Sequence, residues 1–431
     1  MRFYSLQNPN HKVSFKEAVI AGIAPDRGLY FPETIKPIDS GFSSSLTKLS
    51  NREIAFKAIH QFVGDEIAQT ELKKILAEVL DFDFPVIEIE EHIATLELFH
   101  GPTMAFKDVG ARFMAKCLGY FSKGEKEEVT VLVATSGDTG GAVANGFLGV
   151  EGVKVVILYP SGKVSEIQEK QLTTLGQNIT ALEVDGTFDD CQKMVKTAFL
   201  DREITRQRKL TSANSINVAR WLPQLFYFLF AYKQAESKGK EIVFSVPSGN
   251  FGNICAGMVA QKLGMPVKHF IAATNVNDTV PKFMNTREYH PKASQATISN
   301  AMDVGDPSNF VRIQNLYDND FDMLSKNFSS YSFTDSETED AMKSVYKKTG
   351  YLMDPHGAVG YLGLKKYQEQ NPNTFGIFLE TAHPIKFLPI VQKTLGLTPD
   401  IPSQIKKVMG KQKEAIAISD YTELKSFLLR K

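Results

Sequence analysis

Residues 129–149 read VTVLVATSGDTGGAVANGFLG, and this stretch decides the fold. VTVLVAT is a short, almost wholly apolar run rich in β-branched residues, the pattern of a strand covered on both faces in a parallel sheet. A turn rich in glycine follows, and then a run of small residues with helical character. The same order of strand, turn and helix recurs further along the chain. VKVVILYP (153–160) precedes VSEIQEKQLTTLG, ITALEVDG (179–186) precedes DDCQKMVKTAFL, and EIVFSVPSG (241–249) precedes NICAGMVAQKLG. HFIAAT follows at 269–274, and FGIFLETA (375–382) precedes PIKFLPIVQKTLG. Such alternation predicts an α/β fold with parallel sheets. Upstream, SNREIAFKAIHQFVG and DEIAQTELKKILAEVLD carry apolar residues at helical spacing, so residues 1–85 are expected to be a mostly helical region. At 431 residues the chain is too long for one ordinary core. The expected division is a large α/β domain from 86–125 and 225–431, and a smaller α/β domain from 126–224. A long helix is expected near 214–236.

Composition narrows the function. Lys+Arg and Asp+Glu both number 49, so no global charge favours nucleic acid or an anionic membrane, and any anion must be held by local chemistry. Cys117, Cys191 and Cys255 are far apart, which indicates neither a disulfide framework nor a cysteine zinc site and fits a reducing compartment. The start, MRFYSLQNPNHKVSF, lacks the apolar core of a signal peptide, and the apolar runs are too short to span a membrane. A cytoplasmic protein is expected. The eight histidines form no HExxH or similar spacing, so no metal site is predicted.

In LFHGPTMAFKDVGARF (98–113), Lys107 follows Met104, Ala105 and Phe106 and precedes Val109 after Asp108. Apolar company desolvates an amine, lowers its pKa and makes it a nucleophile or base; the alternative is a lysine that snorkels out from a helix start. ATSGDTGGA (134–142) and VPSGNFGNICAG (246–257) lie at strand-to-helix junctions, where parallel sheets bind ligands and helix N–H groups accept anions, though each could be an ordinary turn. Gly249 and Gly252 admit a phosphate to the backbone, and Ser248, Asn250 and Asn253 add uncharged hydrogen bonds. Neither loop is GxGxxG, PSGKVS fails as a Walker A motif at Val164, and no GxSxG surrounds Ser136. A reactive lysine with two anion loops is the set of parts that holds pyridoxal phosphate and an amino acid. Thr381, ending the last strand, suits the pyridine nitrogen, and on local grounds it serves equally as an N-cap for the helix near Pro384. Ser215 and Arg220 in NSINVAR suit a second phosphate, since a guanidinium binds phosphate bidentately; a solvated or ion-paired arginine is the alternative.

Taken in order, APDRGLYFPE, LFHGPTMAFKDVG, ATSGDTGGA, NSINVARWLPQ, PSGNFGN and ETAHPIKF resemble the threonine synthases, pyridoxal-phosphate enzymes related to tryptophan synthase β. The lysine and NSIN segments are specific to that family, whereas SGDTG-like and glycine-rich loops occur more widely. The resemblance implies a fold type II enzyme with the cofactor cleft between two α/β domains. It implies conversion of O-phospho-L-homoserine and water to L-threonine and phosphate, the last step of threonine biosynthesis, by a monomer or homodimer. Lys107 is then the lysine that links to the cofactor, Ser248, Gly249, Asn250, Phe251, Gly252 and Asn253 hold its phosphate, and Thr381 faces the ring nitrogen. Ser136, Gly137 and Thr139 are placed at the substrate carboxylate and Asp138 at the cofactor's ring hydroxyl, with Asp138 standing where many relatives carry Asn. Arg27 replaces an expected glycine in a surface turn. A related lyase or dehydratase releasing 2-oxobutyrate would share the cofactor parts, and an idle binding protein with this scaffold would be colourless.

Overall fold

The computed structural model describes residues 1–38 and 41–430. Six strands form the larger sheet, in the order Phe328–Ser332, His269–Thr274, Glu241–Pro247, Thr374–Glu380, Ile93–Glu97 and Val86–Glu90. All neighbours run parallel except the last pair, where VIEIE forms a partly exposed antiparallel edge. The central strands Thr374–Glu380 and His269–Thr274 are buried along their whole length, as expected of strands with helices on both faces. The smaller sheet is wholly parallel, in the order Ile416–Ile418, Ile179–Val184, Val153–Pro160, Val129–Ala134 and Lys209–Thr211.

Two expectations need correction. The chain returns to the smaller domain at its end: Ile416–Ile418 pairs with Ile179–Val184, and Ile418, Leu424 and Leu428 share a core with Leu132, Val156 and Leu182. Residues 225–431 are therefore not all in the large domain. Ile416–Ile418 is three residues long, and two of them are exposed, too little to register as a strand in sequence. The N-terminal region contains the expected helices, Phe15–Ala21, Asn51–Val63 and Gln69–Val79, but also an antiparallel sheet of Lys12–Val13, Phe3–Ser5 and Tyr30–Pro32. Nor is 214–236 one helix. Asn217 caps a short helix, Val218–Trp221, a tight turn carrying Pro223 follows, and the buried helix Leu225–Ala235 completes the segment. Asn214, Ser215 and Ile216 thus lie in a turn ahead of the helix rather than on it.

Beneath the larger sheet's carboxyl edge, Glu380 is wholly buried beside Asp354. Asp354 accepts from the His356 N–H and pairs with His356 Nδ1, each at 2.6 Å. Burial, reinforced by the Asp354 charge, pushes Glu380 well above its ordinary 4.5. The native chain therefore keeps a proton that the unfolded chain releases above that value, so stability falls as pH rises. Glu380→Gln keeps the shape and a donor without titrating. Its thermal midpoint should gain on the parent's as pH rises above about 5; a difference flat with pH would remove Glu380 as the cause.

Candidate active site

Lys107 opens the helix Lys107–Ser122. The Phe106 N–H donates to the Thr381 carbonyl at 2.8 Å and Ala105 bridges Ala382, which fixes the lysine turn to the end of a central strand. Gly110 lets the helix approach Arg220, because a Cβ there would lie 2.5 Å from the Arg220 carbonyl oxygen. Arg220 in turn donates from Nη1 to the Lys107 carbonyl and from Nε to the Ala213 carbonyl, both at 2.8 Å. Lys107 Nζ has no hydrogen-bond partner among the described residues and lies 5.7 Å from the Phe106 ring centroid. Burial pushes the amine down to about 8, with Asp138 opposing the shift and Lys386 and Arg220 adding to it.

Asp138 begins the helix Asp138–Phe147. Although burial disfavours its charge, Lys386 and Lys107 hold it well below the usual carboxylate range. Lys386 Nζ lies 2.6 Å from Asp138 Oδ1, and Gln168 Nε2 donates to the same oxygen at 2.8 Å. Asp138 is thus an anion. Thr135 shapes the loop from below, its Oγ1 accepting from the Gly137 and Gly140 N–H groups at 3.0 and 2.8 Å.

The second loop leads into the helix Gly252–Lys262 through Phe251, whose φ of 59° is left-handed and whose side chain caps nothing. A Cβ on Gly249 would lie 2.9 Å from Met302 Cα, so the loop has no room for a side chain there. Asn250 Oδ1 accepts from the Ser308 N–H and hydroxyl, both at 3.3 Å, and Ser248 Oγ donates to the Val246 carbonyl at 2.8 Å. Asn253 is buried with both side-chain amide atoms unpartnered among the described residues. An uncapped helix start beside an orphaned buried amide fits a phosphate.

Thr381 is spared the capping duty: His383 caps the turn Pro384–Phe387, its Nδ1 accepting from the Ile385 N–H at 3.1 Å. Ser215 packs against the glycine loop, accepting from Asn309 Nδ2 at 3.2 Å. Arg312, wholly buried, donates to the Ser215, Ile216 and Tyr30 carbonyls and to Asn309 Oδ1. A cleft of about 1470 Å³ between the two sheets gathers Lys107, Ser136, Asp138, Thr139, Ser215, Arg220, residues 248–253 and Thr381. Gly137 is the exception. It stands at φ 144° behind the cleft wall, where a Cβ would meet Gln168 at 2.5 Å, so it permits the loop's shape.

Residues 89–375 match the pyridoxal-phosphate dependent enzyme family, 2–79 the threonine synthase N terminus and 357–428 the threonine synthase C-terminal family. The threonine synthase of Escherichia coli (strain K12) is 45% identical over 406 residues, 94% of each chain. The chain belongs to the threonine synthase family. A crystal structure of the Escherichia coli threonine synthase superposes with a TM-score of 0.92 at 42% identity, covering 100% of this chain and 99% of that one. The pyridoxal-phosphate-bound threonine synthase of Brucella melitensis gives 0.93 at 32% identity, covering 99% and 98%. The fold is type II, the cofactor is pyridoxal phosphate and the activity is that of a threonine synthase. Among the described residues no helix is long and apolar enough to cross a membrane.

Sequence reasoning missed four residues around this threonine synthase site: Thr135, Gln168, Arg312 and Lys386. Lys386 carried a signal, a lysine among Pro384, Ile385 and Phe387, of the kind that singled out Lys107. Arg312 and Gln168 carried none, for each acts across distant stretches of chain.

Proposed function

We propose that this cleft converts O-phospho-L-homoserine and water to L-threonine and phosphate with Lys107 as its catalytic amine. The observation that carries the assignment is the unpartnered, desolvated Nζ of Lys107 in the same cleft that both anion loops line. Residues 248–253 would hold the cofactor phosphate and Thr381 would meet the ring nitrogen, with Asp138 on the side of the ring hydroxyl. When bound, pyridoxal phosphate supplies an electron sink for charge that develops on the substrate. Lys107 Nζ takes the substrate's Cα proton as a general base, a role suited to an amine near 8. The remaining change leaves a hydroxyl on Cβ and a methyl at Cγ: Cβ loses a proton, the Cγ–O bond breaks as phosphate leaves, Cγ gains a proton, water delivers hydroxyl to Cβ, and Cα regains the proton it gave up, with water's second proton going to the leaving phosphate. Ser136 and Thr139 hold the α-carboxylate beside the N-terminus of Asp138–Phe147. The proposed protein is a cytoplasmic monomer or homodimer acting on a free small molecule, with no nucleic-acid partner.

Ser215 and Arg220 read the substrate phosphate in this proposal. Arg220 spends Nε and one Nη1 hydrogen on carbonyls, while Nη2 has no partner among the described residues, leaving an end-on fork. Arg220→Lys keeps a donor for the Lys107 carbonyl but loses the fork. It should lower kcat/KM toward phosphohomoserine by about a hundredfold, on the order of 3 kcal/mol, yet leave slow turnover of phosphate-free serine or threonine within a few-fold. Equal losses on both substrate types would make Arg220 a brace for Lys107 only. Product analysis tests the reaction itself: threonine and phosphate in equal amounts support it, whereas 2-oxobutyrate with ammonia as the main products would favour the dehydratase reading.

A further inference from the structure

Lys386 has no part in the chemistry so far, yet it is the most deeply buried cation near Lys107. It lies in the turn Pro384–Phe387, just beyond Thr381, with a wholly buried side chain. Its Nζ meets Asp138 Oδ1 at 2.6 Å and the Thr103 carbonyl at 2.9 Å. Lys386 does not line the cleft, so it acts on Lys107 from behind the cleft wall, through Asp138 and through its own charge. A buried ammonium is costly to keep, and the partner it neutralises is where its effect should be sought.

The charges around Lys107 are few. Asp138 faces it from the start of Asp138–Phe147, Lys386 from the turn after the last central strand and Arg220 from Val218–Trp221. Asp108, on the lysine's own helix, is occupied by the Thr103 hydroxyl and N–H at 2.5 and 2.9 Å. Among the described residues, Asp138 is the carboxylate whose charge acts on Lys107. Were it unanswered, an ion pair would form between them, with the amine protonated and tethered. Lys386 and Gln168 instead satisfy the carboxylate, and Lys107 Nζ stays without a hydrogen-bond partner among the described residues.

We propose that Lys386 is a positioning residue that neutralises Asp138 and thereby keeps Lys107 free and readily deprotonated. The inference rests on Lys107 as the lysine that takes the cofactor. It predicts an order of effects that general damage to the fold would not produce. Lys386→Met removes a repelling cation and exposes Asp138, so Lys107 should hold its proton more tightly. Asp138→Asn removes the attracting anion and should act in the opposite direction. Lys386→Met with Asp138→Asn removes both charges and should return Lys107 close to the parent.

The test uses the full-length chain freed of cofactor. Pyridoxal 5'-phosphate is added across a range of pH, the rate at which the visible band appears is recorded, and borohydride trapping with peptide mapping identifies the lysine. The pH midpoint of capture should rise by roughly one unit in Lys386→Met, fall in Asp138→Asn and return to the parent value in the double variant. A midpoint unmoved in Lys386→Met, with the label still on Lys107, overturns this proposal alone. Label on another lysine of the parent overturns the reading of the site beneath it. If Lys386→Met does not fold, Asp138→Asn decides: a lower midpoint supports the proposal, and an unchanged or higher one ends it.

Discussion

Lys107→Ala should lower threonine formation by on the order of 10⁴-fold while leaving the chain folded and able to bind pyridoxal phosphate without a covalent bond. The site contains two buried or half-buried lysines, and the structure separates them clearly. Lys386 is committed to Asp138 and the Thr103 carbonyl, whereas Lys107 Nζ has no hydrogen-bond partner among the described residues and is pushed down to about 8. Borohydride treatment of the parent should therefore attach the cofactor to Lys107, read by peptide mapping. A small primary amine added to Lys107→Ala should restore part of the activity, because the truncated side chain leaves space where the missing base stood. Label on Lys386 with Lys107 unmodified would reverse the assignment. Loss of fold in Lys107→Ala is not expected, since the helix Lys107–Ser122 is anchored by Phe113, Met114, Leu118 and other buried residues beyond its first turn.

Much of this was legible locally. Strands such as Val129–Ala134 are continuous apolar runs because both faces of a parallel sheet are covered, and glycine-rich turns mark their carboxyl ends. Lys107 stood out because its neighbours in sequence are apolar, and one of them, Phe106, also lies beside its amine, the ring centroid 5.7 Å from Nζ. Where partners come from far along the chain, the sequence carried less. Lys386 reaches back to Thr103 and Asp138, and Arg312 ties Tyr30 and Ser215 to Asn309, contacts no spacing rule announces. Arg220 shows the same limit in another form. Its residue type pointed to phosphate, but its Nε and Nη1 serve the carbonyls of Ala213 and Lys107, so it also positions the lysine turn. The edge strand Ile416–Ile418 escaped because its place is set by the open edge of Ile179–Val184 rather than by a pattern of its own.

Gly252→Asp tests the other half of the site, the anion cradle. Gly252 is the first residue of a helix whose preceding residue, Phe251, offers no side-chain cap, and Asn253 beside it has a buried amide with no partner among the described residues. Such a helix start favours negative charge through its free N–H groups and its dipole. An aspartate at 252 supplies that charge from within. Its Cβ would lie 3.2 Å from Ser215 Cβ and 3.3 Å from Asn309 Nδ2, close enough that the carboxylate must compete with a bound phosphate for the same donors. Losing two charge-assisted hydrogen bonds costs about 4 kcal/mol, so retention of pyridoxal phosphate should weaken by about a thousandfold, read by equilibrium dialysis and by the visible band. The fold should survive, because the helix gains an acidic first-turn residue and Asn309 needs to yield by only a few tenths of an ångström. Gly252→Ala separates charge from bulk. It makes the same steric demand without the carboxylate and should retain the cofactor far better. If both variants lose the cofactor equally, crowding against Ser215 is the cause. If Gly252→Asp binds as tightly as the parent, the phosphate lies elsewhere in the cleft.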